Sequence, residues 1–134
     1  MITERYPLVD CQKEPDSDII FAEFPRSLKI DLAAAKEIVA NRLDFTKSEL
    51  HYLVVDLSNV RQVSSEAKEF MQRPDTGLKN LLAAAFVATN PVSAMIANIF
   101  IKTPKNFQAR FFGNKNDAFD WILSQKKLLA RTDV

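Results

Sequence analysis

The sequence predicts an α/β fold: a single layered domain with a mostly parallel β-sheet, an N-terminal β-hairpin and about four helices. Three observations carry this. Short apolar runs rich in β-branched residues, such as Tyr52–Leu57 and Leu81–Ala88, alternate with stretches of helical period. Strands joined through helices need right-handed crossovers, which make their sheet mostly parallel. The chain has 134 residues, 47% apolar and 26% charged, which fits one soluble globular domain. The folded core is expected over about residues 8–127, with 128–134 as a frayed tail.

Each element has its own signal. Leu8–Lys13 and Ile19–Phe24 read as strands, and the polar stretch Glu14-Pro15-Asp16-Ser17-Asp18 as the turn between them. Pro25 and Arg26 end the second strand. Asp31 reads as an N-cap, because its carboxylate can accept from the free amides of a first helical turn. The helix that follows sets Leu32, Ala35, Val39 and Leu43 on one face with Ile38 and Phe45 alongside. Lys36, Glu37, Asn41 and Arg42 fall away from that stripe. Tyr52–Leu57 suits a strand buried on both faces. After a loop, Ser64 or Ser65 caps a short helix with Glu66 in its first turn and Ala67, Phe70 and Met71 as its apolar face. Leu81–Ala88 is a second buried strand. Thr89-Asn90-Pro91 then starts a helix that stops before Thr103-Pro104. Phe107–Phe112 reads as the last strand. A final helix follows Gly113, with Ala118, Phe119, Ile122 and Leu123 inward and Trp121 on its flank.

Composition excludes several chemistries. Two glycines, Gly77 and Gly113, cannot build a phosphate-cradling loop. One histidine and one cysteine exclude a His-rich metal site and an internal disulfide. His51 falls at the start of a strand, whereas open α/β sheets bind ligands at strand carboxyl ends, so it reads as structural. Cys11 reads as a passive thiol. No nucleophile–base pair is visible, and neither an enzyme nor a cofactor is expected. The net charge of +1 gives no pull toward nucleic acid. The longest apolar run, Leu81–Ala88, is eight residues, far short of the ~20 of a membrane span. With no export signal at the N-terminus, the cytoplasm is the expected compartment.

The informative segment runs from Val54 to Ala67. A buried strand ends in Asp56, a polar loop follows, and a serine pair opens a helix. Hydroxyls and free backbone amides at a sheet's carboxyl edge favour anions, including a serine-borne phosphate. Asp56-Leu57-Ser58, Val60 and Val63 resemble the corresponding stretch of the STAS domain, the family of anti-sigma-factor antagonists and sulfate-transporter tails with the SpoIIAA-like fold. Ser65 falls on that family's phosphorylatable serine. Ser64 replaces the acidic residue before it, and Glu66-Ala67 replace the Ser-Gly after it. The chain is also similar to small bacterial proteins that join STAS and Sec14-type features. The resemblance implies a candidate phosphoacceptor or anion loop of Asp56, Ser58, Ser64 and Ser65.

A second segment stands out. In the helix after Pro91, Val92, Met95, Ile96, Ile99 and Phe100 form one wide stripe, with Lys102 at its end. A helix this apolar on a peripheral layer is expected to present an interface. The expected function is therefore a non-enzymatic regulatory module. It docks another protein, or a second copy as a homodimer, through the 58–65 loop and this helix. The alternative is a Sec14-like carrier of a small apolar ligand or lipid, with an enclosed pocket between the same helix and the sheet. Lys102 and Lys105 suit peripheral contact with a lipid surface.

Overall fold

In the computed structural model, which describes residues 1–132, the chain forms β1 (Ile2–Arg5), β2 (Asp10–Lys13), β3 (Ile19–Glu23), β4 (Leu28–Ile30), α1 (Leu32–Phe45), β5 (His51–Asp56), β6 (Val60–Val63), α2 (Ser65–Met71), β7 (Leu81–Val87), α3 (Pro91–Lys102), β8 (Gln108–Phe112) and α4 (Lys115–Thr132). Six strands make one sheet in the order β1-β2-β3-β5-β7-β8. The first two pairings are antiparallel and the remaining three parallel. This is the mixed, mostly parallel sheet with an N-terminal hairpin and four helices that the alternation of patterns predicts.

The sheet divides the interior in two. Leu53 and Val55 of β5 and Ala84 and Phe86 of β7 join Ile38 of α1, Ala67 of α2 and Ile96, Ala97 and Phe100 of α3 in one core. Tyr52 and Val54 face the other way and pack with Ala83, Ala85 and the α4 residues Ala118 and Ile122. Successive side chains of a strand point to opposite faces, so continuous burial of β5 needs a helical layer on each side.

Two features go beyond the sequence reading. β1 is a fully exposed edge strand, and Ile-Thr-Glu-Arg carries no alternation that would mark it. β4 and β6 pair in parallel as a small second sheet, where a loop was expected over 58–63. The cause is visible in β6: Val60 and Val63 are buried while Arg61 and Gln62 between them are exposed. Residues 128–132, expected as tail, are the last turns of α4; 133 and 134 lie outside the described residues.

The α1 face also needs correction. Asp31 is the N-cap, accepting from the Ala34 amide at 2.8 Å. The buried set, however, is Ala35, Ile38, Val39, Arg42 and Phe45. Arg42 lies four residues after Ile38 and three after Val39, so the helical period turns it inward. Its guanidinium donates to the carbonyls of Gly77 at 3.0 Å and Lys79 at 2.9 Å, in the loop between α2 and β7. Gly77 is there because of close approach: an added Cβ would overlap the backbone of Met71. Gly77→Ala is therefore expected to destabilise by about 2–3 kcal/mol, an overpacking cost, and to lower the thermal midpoint by several degrees in calorimetry.

Candidate functional site

The rim at the carboxyl ends of the parallel strands is held by short hydrogen bonds. Asp56 ends β5 and its Oδ1 accepts from the Ser58 amide at 2.9 Å, a turn that reverses the chain. The Ser58 carbonyl accepts from Asn90 Nδ2 at 2.9 Å, and Asn59 Nδ2 donates to the Phe24 carbonyl at 2.9 Å. The loop is thus fastened both to the start of α3 and to the end of β3. Between these elements lies an open cleft of about 400 Å³, lined by Arg26, Ser27, Ser58, Arg61, Asn90 and Val92 among others. The Ser58 hydroxyl is buried without a partner. Ser27 sits at a φ of 56°, in the left-handed region.

The four residues of the expected anion loop do not gather in one place. Asp56 and Ser58 are bonded to each other, whereas Ser64 and Ser65 stand beyond the full length of β6, roughly 13 Å of extended chain. Ser64 is the N-cap of α2, its Oγ accepting from the Ala67 amide at 3.1 Å. Ser65 is the first helical residue and is exposed.

The expected interface stripe on α3 splits. Ile96 and Phe100 belong to the core, where Phe100 stacks on Phe86 with ring centroids 5.8 Å apart. The outer face keeps Val92 at 40% exposed, Met95 at 62% exposed, a half-buried Ile99 and an exposed Lys102. At 100° per residue the five apolar residues span one broad arc, and the sheet takes the 93/96/97/100 set centred on one edge of it, which leaves Val92, Met95 and Ile99 at the other. Ser93 enters that buried set because its polar atoms are used in a capping box. Its amide donates to Asn90 Oδ1 at 2.9 Å, and its hydroxyl accepts from the Asn90 amide at 3.2 Å.

Below the rim, between the sheet and the layer of α1, α2 and α3, is an internal cavity of about 70 Å³. Ile38, Leu53, Val55, Ile96 and Phe100 are typical of its walls, and Arg42 is the one charged residue among its lining residues. Cys11 also lines it; burial pushes its thiol up to about 12, against the pull of Arg42. Burial likewise lowers Arg42 to about 10. His51, 1% exposed, places Nδ1 2.9 Å from the Glu49 carbonyl. A carbonyl only accepts, so Nδ1 carries the proton, and Nε2 is left without a partner. Burial holds this imidazole down at about 4.

Of this interior set, sequence reasoning read Cys11 as a passive thiol and His51 as structural, and passed over Arg42. The available signal was the position of Arg42 on the helical wheel between Ile38 and Val39. Among the described residues no three His, Cys, Asp or Glu side chains gather as a metal site, and no helix is long and apolar enough to cross a membrane.

Comparison with known proteins supports the topology. The chain is similar to an uncharacterised protein of the DUF3478 family with a SpoIIAA-like fold from Shewanella loihica PV-4. The TM-score is 0.59 at 15% identity, covering 85% of this chain and 91% of that one. At that identity the likeness shows the fold, which is SpoIIAA-like. No curated protein matches. The sequence pattern of one family, described as a domain of unknown function (DUF7793), matches residues 14–126, and the chain belongs to that family.

Proposed function

We propose that this domain is a non-enzymatic binding module that docks another protein on the rim at the carboxyl ends of its parallel strands. The observation that carries this is the hydrogen bond from Asn90 to the Ser58 carbonyl, which fuses the strand-end loop and the start of α3 into one cleft. Arg26 and Arg61 give the cleft a basic wall, and Val92 and Met95 continue it as an exposed apolar ridge. Large exposed apolar side chains beside fixed polar groups are the usual makeup of a recognition surface. Ser64 is engaged as a cap, which leaves Ser65 as the exposed hydroxyl through which phosphorylation would regulate such docking.

Site-specific photocrosslinking in the host cell tests the reading. A benzoylphenylalanine at Met95 is expected to give one discrete crosslinked species, lost when Val92→Asp and Arg61→Glu are added. A product of twice the chain mass identifies a second copy as the partner. The same probe at the exposed Lys36 on α1 is the control. A Met95 probe that yields no more product than the Lys36 probe overturns the proposal.

A further inference from the structure

The internal cavity is independent of the rim, and its chemistry is unusual in one respect. A buried charge is normally paired, because an unpaired one forfeits its hydration. Arg42 is 6% exposed, yet none of the ion pairs among the described residues involves it. Its two hydrogen bonds go to neutral carbonyls, and its Nε has no partner. The guanidinium is therefore held in place and left without a counter-charge. Arg42 is among the lining residues of a cavity whose other side chains are apolar apart from the Cys11 thiol.

The size sets what fits. One water needs roughly 10–15 Å³ by this measure, and an apolar cavity holds water poorly. A volume of about 70 Å³, under half of the roughly 150 Å³ that takes a benzene, suits a hydrocarbon body of two or three carbons. Access is marked by the lining residues that are only half-buried, Met71, Leu78 and Leu81. All three lie at or beside the loop whose carbonyls Arg42 holds.

We propose that this cavity binds a short-chain carboxylic acid. Its carboxylate pairs with Arg42 and its hydrocarbon tail lies among Ile38, Val55, Ile96 and Phe100. An anion of higher charge is disfavoured by walls that offer it no second cation. An uncharged hydrocarbon leaves the guanidinium unpaired.

Calorimetric titration of the full chain with propionate and with 1-propanol tests this without any substitution. Propionate is expected to bind one-to-one and saturably. Propanol, which lacks the charge, should bind at least tenfold more weakly, the worth of one charge-assisted contact. Ala22→Leu, which fills the cavity and leaves Arg42 in place, should abolish propionate binding while the circular dichroism spectrum is unchanged. The proposal is overturned if propionate does not bind, if propanol binds equally well, or if folded Ala22→Leu binds propionate like the parent chain. None of these outcomes bears on docking at the rim.

Discussion

Lowering the pH from 7 to 4 is expected to remove about 3 kcal/mol of stability through one imidazole, that of His51. It is the only histidine of the chain, and comparison with a variant that lacks it separates its titration from that of the carboxylates. In the fold its pKa is held at about 4, against 6.5 for a free side chain. Burial is the main cause. The hydrogen bond to the Glu49 carbonyl and the charge of Asp18 oppose it, and Arg42 adds to it. Between pH 6.5 and 4 the unfolded chain binds a proton here that the folded chain refuses. Stability therefore rises with pH across that window, is fully present above 6.5 and is lost by pH 4. Urea unfolding at pH 4, 5, 6 and 7 on the parent and on His51→Leu measures the effect. The stability difference between the two proteins should change by about 3 kcal/mol across the window, to the parent's advantage as pH rises. A difference that stays flat means that the imidazole is solvated and titrates normally.

The layered architecture was legible because the signals behind it are local and periodic. The apolar run 52–55, buried throughout, demands cover on both faces, and Asn90-Pro91 marks a helix start by capping chemistry that operates within one turn. What stayed hidden depends on partners distant in sequence. β1 is a strand because β2 offers it hydrogen bonds, and nothing in its own four residues says so. β4 and β6 are equally short and become strands by pairing with each other.

The sites divide in the same way. Asp56 and Ser58 were placed correctly at the strand end, since a chain leaving a buried strand must turn there. The grouping of Ser64 and Ser65 with them failed, because β6 is extended and carries the helix start away. On α3 the composition pointed to an outward apolar face, but it did not say which residues the sheet would claim. Ile96 and Phe100 went inward and Met95 outward. Arg42 escaped notice because charge is the usual marker of a solvated face. Only the loop carbonyls of Gly77 and Lys79, more than thirty residues downstream, make an inward guanidinium tenable.

Arg42→Met is expected to destabilise the fold by about 3 kcal/mol, and two opposing effects decide the sign. Replacing buried charge with an apolar side chain of similar length relieves desolvation, and where a whole ion pair is replaced the result is often neutral or favourable. Here the partners stay behind. Two carbonyls lose donors that were charged, each such bond contributing roughly 1.5–3 kcal/mol, and both acceptors remain near the core without replacement. The loss outweighs the relief. It should also be local first: the 72–80 loop keeps the bonds from the Gly77 amide to Phe70 and from the Leu78 amide to Arg73, but no side chain of α1 then holds it. Hydrogen exchange at Gly77 and Leu78 should accelerate more than at Val54 in the core of β5. Arg42→Lys, able to reach one carbonyl but not to fork to two, should fall between parent and methionine variant. Urea midpoints for the three proteins give the order directly. A methionine variant as stable as the parent would show that the guanidinium contributes nothing to the latch and is retained at the cavity for its charge alone.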